Sequence, residues 1–147
     1  VIKKPATKNG NGKPPDLFVT CQLVRGLQLS SRTIGYFGAG YYSHIDVLTP
    51  KGLLRGARSD VITPMGVPNA EPIPAGVQDR PQNYEKWAKC TRYSAKVTQE
   101  EYQGFWSFSD AQLGKPYDTH GLLATFVFGR AWREDDSWWC SELFAMC

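Results

Sequence analysis

Strand-forming runs occupy the first two-thirds of this chain and helix signals gather in the last third. That order predicts an α+β domain, a small antiparallel or barrel-like sheet packed on helices. Three observations carry the expectation. Residues 17–24 (LFVTCQLV) are apolar and β-branched, and residues 42–48 (YSHIDVL) alternate as a strand does. Thr98 and Glu101 have the spacing of a capping box, a helix-start signature. Strands and helices are segregated, with none of the alternation that would build a parallel sheet.

Taken in order, residues 1–15 are rich in Lys, Gly, Asn and Pro and read as a flexible arm or linker, leaving 16–147 as the folded domain. Residues 26–40 are rich in Ser and Gly, a loop with room for one helical turn. Pro50, Lys51 and Gly52 make a turn, after which residues 53–58 pair back as a hairpin. Residues 60–81 are broken by Pro64, Pro68, Pro72, Pro74 and Pro81 and are expected to be loop, touched by short strands near Val77. Residues 87–94 (WAKCTRYS) form another strand. The helix that Thr98 starts is expected to reach Leu113 and stop at Gly114. Residues 117–126 hold a second short helix capped by Asp118 or Thr119, and 129–136 form a charged loop. Ser137 is then expected to cap a last helix from Trp138 onward.

The chain has 147 residues, 41% hydrophobic and 13% aromatic, enough for one core without disulfide staples and unlike a disordered tail. Its net charge of +3 comes from scattered Lys and Arg, so no basic face for nucleic acid is expected, while a mild preference for anionic surfaces remains. No run approaches the roughly 20 apolar residues of a membrane span. No signal peptide is visible. Val1 stands where Met would open a complete chain, so a module of a larger protein or assembly is expected. Cys21, Cys90, Cys140 and Cys147 lack zinc-site spacing, and no metal or cofactor is expected. Cys21 and Cys90 read as buried strand residues.

Two positions stand out chemically. In Ser137-Trp-Trp-Cys-Ser-Glu, Cys140 falls in the first turn of the expected helix, where unpaired N–H groups favour a thiolate. Taken alone, the window fits a buried structural cysteine beside two tryptophans better. His44 lies on an expected strand, a rigid mount for a general base, with Asp46 two residues on and therefore on the same face. His120 reads as structural or at the rim of a site. Asp118 reads as a cap, Glu142 as a first-turn acid, and Tyr117 as a core or cleft residue. Trp138 and Trp139 are expected to split between core and cleft wall.

The ordered segments YYSHIDVLTPKGLLRGARSD, GVQDRP, LGKPYDTHGLL and WWCSEL together resemble the permuted NlpC-type papain-like cysteine hydrolases, YiiX-like members in particular. The resemblance covers roughly residues 41–146. It implies a circularly permuted papain-like fold, with Cys140 as nucleophile, His44 as base and a third polar group to orient the imidazole. The third member departs from the pattern, since Leu-Leu-Arg-Gly-Ala-Arg on the following strand offers no acid or amide. Asp46 substitutes on geometric grounds, although i and i+2 on a strand are roughly 6–7 Å apart. Asp60 and Tyr117 are the next candidates. The implied function is hydrolysis of an amide in cell-wall peptide, by a peptidoglycan endopeptidase or amidase at the envelope or outside the cell. The alternatives are a lipid acyl hydrolase or acyltransferase, and a non-catalytic structural or binding domain of a phage or secreted effector.

Overall fold

The sheet is built around Leu17–Gly26 (β1), where Gln22, Val24 and Gly26 are buried and the residues between them only partly so, the period of two that a strand imposes. The computed structural model describes residues 15–27, 41–66, 68–120, 136–138 and 140–145. Beside β1 lie His44–Leu48 (β2), Leu54–Arg58 (β3), Gly76–Arg80 (β4) and Trp87–Val97 (β5). Their order is β4-β3-β2-β1-β5, antiparallel throughout. The protein is thus α+β, with an open five-stranded antiparallel sheet rather than a closed barrel. Its main helix is Gln99–Ala111 (α1), and the short helix Cys140–Ala145 (α2) follows.

Local chemistry explains most boundaries. The β2–β3 hairpin turns at Gly52, whose φ of 78° suits glycine, while the Thr49 hydroxyl accepts from the Leu53 N–H at 3.0 Å. No proline falls between Pro74 and Pro81, so Gly76–Arg80 keeps the N–H groups a ladder needs. A full strand therefore stands where short strand contacts near Val77 were expected, paired with β3 from Leu54↔Arg80 to Arg58↔Gly76. Its outer edge is closed by Val77, which donates to the Lys115 carbonyl and accepts from the Gly114 N–H, each at 2.9 Å. β5 runs past the expected end at Ser94 to Val97, matched along β1 as far as Leu17↔Val97. As an edge strand it leaves Cys90 exposed, and Cys21 is half-buried; neither is the fully buried cysteine expected.

Thr98 caps α1 through the capping box, its hydroxyl accepting from the Glu101 N–H at 3.2 Å and its own N–H donating to the Glu101 carboxylate at 2.7 Å. The helix ends at Ala111, slightly before the expected Leu113. The start of α2 is a larger correction. Trp138 is held extended by a parallel bridge to Tyr117, its N–H donating to the Pro116 carbonyl at 3.1 Å. Its indole donates to Gln112 at 3.0 Å. Helix therefore begins at Cys140, and Ser137 is no cap: its buried hydroxyl has no partner among the described residues.

Among the described residues, two apolar clusters form the core. Ala57, Val77, Trp138 and Leu143 join Phe108, Tyr117 and Phe144 between sheet and helices. Leu54, Ile62 and Tyr84 gather with Leu48 and Trp87. Arg55 links β3 to β4 through Asp79 at 2.6 and 2.9 Å, and to α1 through Ser109 at 3.2 Å and Asp110. No helix among the described residues is long and apolar enough to cross a membrane. The expected arm before Pro15, most of the loop at 26–40, the helix beyond His120 and most of the charged loop at 129–136 lie outside the described residues.

Candidate active site

His44 opens β2, and Asp46 follows on the same face of the strand. Their side chains close the backbone spacing: His44 Nε2 and Asp46 Oδ1 are 2.8 Å apart. The expected imperfect pairing is therefore a direct hydrogen bond. It is sheltered, with 11% exposure for the His44 side chain and none for Asp46. Room for the carboxylate comes from β3. The register that pairs Val47 with Arg55 carries Gly56 beside Asp46, and a Cβ at 56 would collide with Asp46 Oδ1 and press on the Ile45 carbonyl.

The second Asp46 oxygen accepts from the Tyr84 hydroxyl at 2.9 Å. Arg80 is fully buried nearby and donates to the carbonyls of Gly56 at 2.8 Å, Gly76 at 3.1 Å and Gln78 at 3.3 Å. Burial would raise the Asp46 pKa, but His44, the Tyr84 hydrogen bond and the Arg80 charge outweigh it and hold the carboxyl below its ordinary range. Asp46 is thus an anion at neutral pH.

Cys140 is half-buried at the first position of α2, which packs on β2 and β3. Its thiol lies close enough to the His44 ring and to the Ile45 backbone N–H for both to act on its charge. Because Nε2 faces Asp46, Nδ1 is the ring nitrogen left for the sulfur. Burial opposes charge on His44, but the charge and hydrogen bond of Asp46, joined by Cys140, lift its pKa to about 9. Burial likewise opposes the thiolate, yet the His44 hydrogen bond and charge, with the Ile45 N–H, bring the Cys140 pKa below its usual value. Such a group can exist as a thiolate–imidazolium pair, the ionic form that a nucleophilic thiol requires.

The other candidates take different places. Asp60 is a partner of Arg58, at 2.8 and 2.9 Å. Tyr117 lies within electrostatic reach of Cys140, and burial and the thiolate charge push its hydroxyl up, so it stays protonated. Asp118 is buried, with its N–H donating to the Trp138 carbonyl at 3.1 Å. His120 is exposed. Trp138 packs in the core against Phe108, whereas Trp139 and the Glu142 side chain lie outside the described residues. Among the described residues no group of three or more His, Cys, Asp or Glu side chains could hold a metal ion.

Sequence reasoning missed Tyr84, Arg80 and Gly56. Only Gly56 carried a local signal, since a glycine inside a strand marks a bulge or a close approach. Tyr84 lies in a turn after Pro81, with nothing local to join it to Asp46. No family model matches the chain, and no curated protein matches it.

Proposed function

We propose that this chain is a thiol-dependent hydrolase of the permuted NlpC type, on a circularly permuted papain-like fold, cleaving an amide bond in cell-wall peptide. The observation that supports it is the juxtaposition of Cys140 with a His44 ring that Asp46 holds at 2.8 Å. The Cys140 thiolate attacks the substrate carbonyl carbon, and the carbonyl oxygen takes the negative charge beside backbone N–H groups at the start of α2. As the tetrahedral adduct collapses, the imidazolium of His44 gives its proton to the departing amine, leaving a thioester. His44, now neutral, takes a proton from water, which attacks the thioester and frees the acid and the thiolate. Asp46 fixes the imidazole tautomer and offsets its charge. The net charge of +3 suits an anionic wall polymer.

The test is digestion of purified peptidoglycan with mass analysis of the fragments, beside a panel of lipid esters, with Cys140→Ala as control. New amine and carboxyl ends that disappear with Cys140→Ala support the proposal. Ester cleavage alone moves the reading to a lipid acyl hydrolase. No turnover, with Cys140 no more reactive than an ordinary thiol, leaves a structural or binding domain.

A further inference from the structure

Tyr84 is buried to 1% exposure beside Leu54 and Ile62, where a phenylalanine ring would pack without a hydroxyl to satisfy. Its hydroxyl accepts from Arg58 Nη1 at 3.2 Å and lies 2.9 Å from Asp46 Oδ2. A guanidinium only donates, so the tyrosine proton is directed to Asp46. Arg58 is itself fixed by Asp60 at 2.8 and 2.9 Å and lies 2.8 Å from Glu85, and it stacks 5.4 Å from the Tyr84 ring centroid and 5.9 Å from that of Trp87. The line His44–Asp46–Tyr84–Arg58–Asp60 thus runs from the reacting group to a partly exposed carboxylate.

We propose that Tyr84 and Arg58 are positioning residues for the thiol machinery: Arg58 polarises the Tyr84 hydroxyl and fixes its proton on Asp46, which keeps that carboxylate anionic and aimed at His44. This rests on the hydrolase reading above. Asp46 is faced by His44 and, beyond it, Cys140, by Tyr84, and by the buried Arg80; Arg58 reaches it through Tyr84. The Tyr84 hydroxyl remains a donor across the working range, because burial and the Asp46 charge both oppose its ionisation. Without that donor, Asp46 takes up a proton at higher pH. It then stops supporting the imidazolium, and the thiolate is lost with it.

The experiment is iodoacetamide alkylation of Cys140 in the full chain from pH 4 to 10, followed at the Cys140 peptide by mass spectrometry. Wild type, Tyr84→Phe and Arg58→Lys are compared after thermal melts confirm folding. In wild type the acid limb lies below that of an ordinary thiol. In Tyr84→Phe it rises by about one pH unit, with about tenfold slower alkylation on the acid side. Arg58→Lys moves it the same way by less, and decides the matter alone if Tyr84→Phe does not fold. A limb that coincides with wild type in a folded Tyr84→Phe, or in Arg58→Lys when it stands alone, overturns the inference. A wild-type limb at ordinary thiol pH instead removes the hydrolase reading beneath it.

Discussion

Across the β2–β3 ladder, the carboxylate of Asp46 occupies the space that a Cβ on Gly56 would need. The acid that orients His44 depends on a missing side chain one strand away. Gly56→Ala should therefore displace Asp46 from His44 and strain the hairpin. Overpacking of this kind destabilises by about 1–3 kcal/mol. A urea melt should show that loss, and the Cys140 alkylation rate near neutral pH should fall with it. An alanine variant with unchanged stability and unchanged alkylation would show that the carboxylate has other room.

The proposed hydrolase reading predicts an order of losses. On it Cys140→Ala should abolish turnover, since no thioester could form. His44→Ala lowers kcat/KM by about 10²–10⁴-fold, the usual worth of a general base. Asp46→Asn should approach that loss, because an amide turned to present its N–H to the ring imposes the wrong tautomer. Rates for all three on one cleaved substrate check the order. A neutral Asp46→Asn would move the orienting role elsewhere.

The pH dependence has a defined sign. The His44 pKa is raised to about 9, so on the proposed mechanism activity should fall as pH passes through about 9 and the imidazolium needed to protonate a leaving amine is lost. In Asp46→Asn burial persists while the favourable charge is gone, so the basic limb moves to lower pH. The stabilisation His44 gains from its partners is complete below its ordinary value of 6.5 and is lost as pH rises through about 9. The melting-temperature difference between wild type and His44→Gln should shrink across that window.

Arg80→Met should be among the more damaging core substitutions. It removes the buried donor to the Gly56 and Gly76 carbonyls and a positive charge near Asp46. A loss of about 3 kcal/mol is expected in urea unfolding. A loss below about 1 kcal/mol would show that the carbonyls find other donors.

Thr98→Ala tests a feature remote from the chemistry. Loss of the α1 cap should lower stability by about 1 kcal/mol. Cys140 alkylation should keep its wild-type pH profile, and a shifted profile would tie α1 to the site.

Much of this arrangement was legible along the chain, for reasons that differ by residue. The Thr98–Glu101 box marked α1 because capping is a local transaction among four consecutive residues. His44 and Asp46 could be assigned to one face because the pleat repeats every two residues. Their 2.8 Å contact could not, because backbone spacing fixes Cα separation and leaves side-chain reach open. β4 was only partly foreseen because prolines upstream dominated the window, although they stop short of the strand. Trp138 read as helical for lack of any local sign of its bridge to Tyr117, twenty-one residues earlier. Tyr84 and Arg80 serve Asp46 through contacts that only the sheet order creates.

The placement of Cys140 on α2, most of the chain away from β2, also governs how the protein comes into being. At roughly 5–20 residues per second of synthesis, the ribosome delivers the imidazole and its carboxylate several seconds before the sulfur. A nascent chain halted before α2 carries His44 and Asp46 without Cys140, so the group is complete only once α2 has been made and packs on β2 and β3.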